Sequence, residues 1–195
     1  MECQRRIWWL ADHFRSYAGV REVVPGMNNL TVELDQAAPD LENLLDALRT
    51  GWRNSDAISF SSRRIEVPVQ YGGEAGGDLD EVARHTGLSR EEVVRLHSTG
   101  EYTVYFLGFL PGFAYLGGMD PRLATPRRKE PRSAVPAGSV GIGGKQTGIY
   151  PSVSPGGWQL IGRTSLQLFD PARDPPSLLL PGDTVRFVNV GKVDD

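Results

Sequence analysis

The run Gly138-Ser139-Val140-Gly141-Ile142-Gly143-Gly144-Lys145-Gln146-Thr147 sets glycines ahead of a lysine, residue types suited to holding an anion. Glycine lets successive backbone N–H groups converge, here those of Gly141, Gly143 and Gly144, and Lys145 would add positive charge. A nucleotide phosphate loop reads G-x-x-x-x-G-K-[ST]; this run departs from it at Ser139, in the first glycine position, and at Gln146, after the lysine. No long helix follows to supply an N-terminal dipole. Two readings stand, a nucleotide-binding nest and a structural β-turn. Residues 137–141, Ala-Gly-Ser-Val-Gly, also approximate a nucleophile elbow, but that motif needs a strand, a sharp turn, a helix and a histidine base for Ser139. The three histidines, His13, His85 and His97, are all distant in sequence.

Arg127, Arg128, Lys129 and Arg132 form a basic cluster threaded with Pro126 and Pro131. Solvated surface charge is one account of such a run. The other is that the prolines stiffen the loop and hold the guanidinium groups for bidentate capture of a carboxylate or phosphate. Gln146, Thr147 and Tyr150 can hydrogen-bond an amide or lactam, or can cap each other's backbone in a buried turn. Phe109 and Phe113 on the Gly-Pro-rich stretch 108–115, with Trp158 after two glycines, offer apolar faces for a partner interface. Asp183, after Pro181-Gly182, reads as a turn residue, and His85 and His97 read as helix-surface or capping residues.

The chain has 195 residues and a formal net charge of −3, which gives no basic footprint for nucleic acid and no attraction to an anionic membrane. A single cysteine, Cys3, excludes an internal disulfide and points to a reducing, cytoplasmic setting. No Cys or His pair has zinc spacing, so no structural metal is expected. No apolar run approaches the roughly 20 residues of a membrane span.

The segments Gly108-Phe109-Leu110-Pro111-Gly112-Phe113-Ala114-Tyr115-Leu116, Val135-Pro136-Ala137-Gly138-Ser139-Val140-Gly141-Ile142, Gln146-Thr147-Gly148-Ile149-Tyr150-Pro151, Pro155-Gly156-Gly157-Trp158 and Gly162-Arg163-Thr164, in this order, resemble the family of the 5-oxoprolinase B component. That family is also known as allophanate hydrolase subunit 1, includes KipI-like proteins, and corresponds to carboxyltransferase subdomains C and D. The resemblance extends upstream through residues 20–26 and 67–73 and downstream to Pro181-Gly182-Asp183. It implies a cytoplasmic subunit of an ATP-dependent 5-oxoprolinase, which opens the lactam 5-oxo-L-proline to L-glutamate with a KipA-like C component and a further A component, and which is inactive alone. On that reading Arg127, Arg132, Gln146, Thr147 and Tyr150 are the catalytic candidates, Gly141, Gly143, Gly144 and Lys145 contact ATP, and Phe109, Phe113 and Trp158 meet a partner component. The same scaffold also fits a KipI-type inhibitor of a sensor histidine kinase, or a component of another amide hydrolase such as allophanate hydrolase.

These residues need elements to position them. Ile7, Leu10, Ala11, Phe14, Tyr17 and Ala18 recur at helical spacing. Residues 20–24 and 30–34 read as a hairpin, Asp40 as the N-cap of a helix with Leu41, Leu44, Leu45, Leu48 and Trp52 on its apolar face, and Ile65, Val67, Val69 and Tyr71 alternate as a strand. The order fits a ferredoxin-like α+β domain over 1–73 that lacks its first strand. The resemblance implies that strand, and either a start assigned too late or pairing through a second chain would account for the open edge. After a Gly-rich boundary at 74–78, two short helices, 79–86 and 89–97, lead into short strands at 102–107, 139–142, 148–150, 159–162, 165–169 and 184–190. Ala83 and Gly87 have helix-turn-helix spacing, but Glu91 and Glu92 would face the phosphates of DNA, so packing against the strands is the reading adopted. Periodicity leaves barrel and sandwich open. The resemblance implies a cyclophilin-like β-barrel within a second domain over 79–195, and an α+β fold overall.

Overall fold

The computed structural model describes residues 1–35, 40–55 and 62–191. The chain divides into two units, Met1–Ser62 and Arg63–Asp195.

In the first unit, helix α1 (Glu2–Phe14) buries Ile7, Leu10, Ala11 and Phe14 at the expected helical spacing. Strands β1 (Val20–Pro25) and β2 (Leu30–Leu34) pair antiparallel. Gln4, fully buried on α1, clamps their connection: its Nε2 donates to Gly26 O at 3.0 Å and its Oε1 accepts from Asn28 N at 2.9 Å. Both halves of a buried amide are thereby satisfied. Helix α2 (Leu41–Asn54) opens on Asp40, whose carboxylate accepts from Glu42 N at 3.1 Å. Of its expected apolar face, Leu44 is buried while Leu41, Leu45 and Trp52 remain exposed.

The strand expected to finish this unit belongs to the other one. β3 (Arg64–Tyr71) pairs parallel with β11 (Thr184–Asn189) and antiparallel with β10 (Gln159–Arg163). The boundary expected at residues 74–78 therefore falls at Ser62/Arg63, and the described part of the first unit holds a two-stranded sheet. Alternation along β3 announces a half-buried strand; it carries no information on which sheet receives it.

The second unit is built on a closed barrel. With β4 (Tyr102–Leu107), β5 (Ala114–Gly117), β7 (Ser139–Gly143) and β8 (Gln146–Ile149), the strand order is β10-β3-β11-β4-β5-β8-β7, and β7 pairs back onto β10. A separate ribbon joins β6 (Arg132–Val135) to β9 (Ser154–Gly156). Residues 165–169, expected as a strand, make one isolated bridge, Phe169 to Ser177. The facing segment contains Pro171, Pro175 and Pro176, which have no N–H to give to a ladder. Helices α3 (Leu79–Thr86) and α4 (Arg90–Thr99) pack on the barrel, burying Leu79, Val82, Val93, Val94 and Leu96. Ser89 caps α4, its hydroxyl accepting from Glu92 N at 3.2 Å. Among the described residues no helix is long and apolar enough to cross a membrane.

His97 is fully buried rather than on a helix surface. Its Nε2 lies 2.8 Å from Thr147 Oγ1, and Thr147 donates its only hydroxyl hydrogen to Gly141 O at 3.0 Å. Thr147 must therefore accept from His97 Nε2–H, which leaves Nδ1 to accept from Tyr71 O–H at 2.7 Å. The imidazole is neutral, and burial pushes its pKa down to about 3. Between that value and an unfolded value near 6.5 the unfolded chain binds the extra proton, so stability is lost as pH falls through this window. The expected loss is about 1.4 kcal/mol per pH unit. Thermal unfolding of wild type and His97→Gln between pH 4 and pH 7 tests this: the slope attributable to His97 should vanish in the variant, and parallel curves would refute it.

Candidate active site

Asp78, the residue before α3, is 5% exposed and organises the loop that carries the basic cluster. One carboxylate oxygen accepts from Arg132 Nη2 at 2.7 Å and Arg128 Nη1 at 3.2 Å, and the other accepts from Leu160 N at 2.7 Å. Asp78 N donates in turn to Leu160 O at 2.8 Å. Hydrogen bonds to the main chain pin the loop on either side of Arg127: the side-chain Nε2 of Gln159 donates to Pro126 O at 3.0 Å, and Arg128 N donates to Gly157 O at 2.7 Å. Arg128 Nε and Arg132 Nη1 are buried without a hydrogen-bond partner, so this latch carries an energetic penalty.

Arg132, expected to act on a substrate, is thus held on Asp78. Arg127 differs. Its guanidinium lies 5.8 Å from the centre of the Trp158 ring, within cation–π range, and among the described residues it has no carboxylate partner.

Trp158 rests on a floor of glycines. A Cβ on Gly143 would come within 2.5 Å of its Nε1, and one on Gly148 within 3.1 Å of its Cζ3. The glycine-rich run is therefore the seat of an indole. Its tip, Gly144-Lys145, is a two-residue hairpin turn between β7 and β8, with Gly144 at φ +65°. Gly144 N donates to Thr125 O at 2.8 Å and Gly143 is paired with Gln146 in the ladder, so these groups do not form a nest around phosphate. Gly141 likewise sits in the ladder opposite Gly148. Ser139 is buried in a continuing strand and makes no elbow. Thr147 is buried in the His97 network, and Gln146 and Lys145 lie at the hairpin end, away from the cavity formed by the remaining candidates.

That cavity, about 250 Å³, is walled by Phe109, Phe113, Tyr115, Tyr150 and Trp158, with Arg127 at its lining. The rings meet edge to face: Phe113 lies 5.6 Å from both Tyr150 and Trp158, at 76° and 79°, and 5.4 Å from Phe109 at 83°. Such contacts add about 0.5–1.5 kcal/mol each beyond area burial and fix ring orientation. Burial raises the Tyr150 phenol pKa, offset in part by the backbone N–H of Trp158 on its oxygen and by the nearby Arg127 and Arg132. Gly156 makes room for that phenol, since a Cβ there would lie 2.5 Å from Tyr150 Oη.

Phe113 is 2% exposed and is the hub of the cluster, whereas Phe109 is 59% exposed at φ +69°. Leu110 N donates to Gly108 O at 2.8 Å, which closes a three-residue turn around Phe109. A non-glycine residue there costs about 1–3 kcal/mol, a strain that the surrounding turn must hold. The exposed ring suited to a partner is Phe109, and Phe113 and Trp158 support it from within. Asp78, the residue that positions the loop, carries no sequence signal beyond its place before a helix.

The chain belongs to the family of the carboxyltransferase domain, subdomain C and D, whose model matches residues 1–179. It is similar to the B component of 5-oxoprolinase from Escherichia coli O157:H7, with 58% identity over 185 residues, 95% of this chain and 85% of that protein. The crystal structure of TTHA0988 superposes with a TM-score of 0.85 and 41% identity over 100% of this chain, which spans only 38% of that longer one. The Kluyveromyces lactis urea carboxylase matches at TM-score 0.69 and 25% identity, over 97% of this chain and 19% of its own.

The latch and the cavity respond differently to truncation. Asp78→Ala should lower stability by about 3–5 kcal/mol, because it strands two guanidinium groups and a buried N–H. Arg132→Ala should also lower the melting temperature, and Arg127→Ala should leave it within a degree or so of wild type; calorimetry of the three variants decides, and an equal loss in Arg127→Ala would contradict the division.

Proposed function

We propose that this chain is the B component of an ATP-dependent 5-oxoprolinase, opening 5-oxo-L-proline to L-glutamate together with a KipA-like C component and a further A component. The similarity to the 5-oxoprolinase B component over 95% of the chain supports the assignment. The observation that carries the chemistry is Arg127: a positioned guanidinium without a carboxylate partner among the described residues, on the wall of a small aromatic cavity. A volume of about 250 Å³ lies below the roughly 300–1,000 Å³ typical of drug-sized ligands and suits a small metabolite. The five-membered lactam ring stacks among the aromatic faces while Arg127 pairs with its carboxylate. Tyr150, a neutral phenol at neutral pH, faces the same space as a hydrogen-bond donor to the ring amide.

The glycine-rich hairpin does not fit a triphosphate, so in this reading ATP is held by another component and no step runs through it here. This chain supplies substrate orientation, and the exposed Phe109 supplies a contact for the C component.

Glutamate release from 5-oxoproline and ATP by the three mixed components, with each omitted in turn, tests the assignment. Activity should require all three, and Arg127→Ala should reduce it at least 100-fold with the complex intact; full activity of that variant would remove Arg127 from the site. Phe109→Ala should weaken co-purification with the C component while lowering the melting temperature by no more than about a few degrees. Phe113→Ala should instead destabilise the chain, by about 3–5 kcal/mol.

A further inference from the structure

A second cleft of the barrel unit lies outside the aromatic cavity and shares no lining residue with it. Segments distant in sequence, 70–75, 137–138, Pro151 and 163–167, enclose about 720 Å³. The close approach of two of them depends on Gly138. It sits at φ +79°, and a Cβ there would fall 2.0 Å from Thr164 O. Thr164 N donates to Gly138 O at 2.9 Å, so the wall is main chain fixed to main chain.

Two opposite charges line this cleft. Arg163 Nε donates to Ala137 O at 3.0 Å, which anchors the guanidinium on the wall and leaves its two terminal nitrogens for another acceptor. Glu74 stands on the single 3₁₀ turn Gly73–Ala75. Among the described residues neither forms an ion pair, with the other or with any third group. Gln70 and Gln167 also line the cleft, and their amides supply neutral donors and acceptors.

We infer that this cleft binds a free α-amino acid as its zwitterion, the carboxylate on Arg163 and the ammonium on Glu74, with a polar side chain toward the glutamine amides. A phosphate dianion would meet the Glu74 carboxylate. A lactam has no ammonium to offer Glu74, and a neutral ligand would gain a charge-assisted bond from neither group. The inference stands apart from the lactam reading of the aromatic cavity. Only the choice of first probe depends on it, because ring opening there would release an α-amino acid.

The test is isothermal titration calorimetry of the full chain with L-glutamate, L-glutamine and then the other common amino acids, with N-acetyl-L-glutamate and 5-oxo-L-proline as ligands that lack the ammonium. At least one amino acid should bind, its N-blocked form at least tenfold more weakly. Glu74→Gln, an exposed substitution that leaves the fold alone, and Arg163→Ala should each weaken binding at least tenfold, and Arg127→Ala should leave it unchanged. Absence of binding by every amino acid, binding indifferent to N-acetylation, or survival of binding in either cleft variant would overturn the inference. Loss of binding in Arg127→Ala would relocate the site to the aromatic cavity. Glutamate release by the three-component mixture is measured separately, so failure of either reading leaves the other standing.

Discussion

A single buried carboxylate sets the geometry of the candidate site. Asp78 carries a full charge at 5% exposure, a placement tolerated only because two guanidinium groups and a backbone N–H converge on it. Removing Asp78 leaves both guanidinium groups without their carboxylate, and removing either arginine leaves that buried carboxylate with a single cation. The consequence reaches beyond stability. By binding the loop through Arg128 and Arg132, and β10 through Leu160, Asp78 ties the basic segment to the barrel and leaves Arg127 between two pinned neighbours. One arginine of three is thereby held free of any carboxylate among the described residues, which is the arrangement expected of a residue reserved for a ligand.

The aromatic cavity depends on a different constraint, the absence of side chains. The flat face of Trp158 needs a surface with no Cβ atoms, and β7 and β8 provide one at Gly143 and Gly148. Glycine in strands ordinarily weakens them through entropy and lost packing. Here the indole supplies the packing, and the hairpin remains in a closed barrel where each strand has two neighbours. Phe113 then bridges Trp158, Tyr150 and Phe109 at near-perpendicular angles, so that a buried hub supports an exposed ring in a strained turn.

Much of the local structure could be read from the residues. Helical spacing located α1 and α2, Asp40 and Ser89 acted as the caps their types suggested, and the alternating strands at 102–107, 139–142, 159–162 and 184–190 lie within a residue of their observed bounds. The family resemblance supplied the barrel, which periodicity alone left undecided. Errors arose where a local pattern has two physical uses. A glycine run serves an anion or an aromatic ring, a proline-stiffened arginine serves a substrate or a carboxylate of its own chain, and a helical histidine can face solvent or the barrel interior. His97 and Thr147 went into a buried hydrogen-bond chain, Arg132 into the latch, and β3 into the barrel, because each found its partner across a sequence separation that no short window spans.

Composition, spacing and turn chemistry thus determined which elements form and which residues are able to bind or react, since these depend on backbone preferences within a few residues. The tertiary structure alone decided which of those residues remain available. Arg127 and Arg132 have the same side chain five positions apart, and only the folded position of Asp78 neutralises one and leaves the other open. The physical reason is that desolvation and charge pairing act through space: a guanidinium is a ligand-binding group or a structural one according to what lies within about 4 Å of it, and that is settled when distant strands close into a barrel.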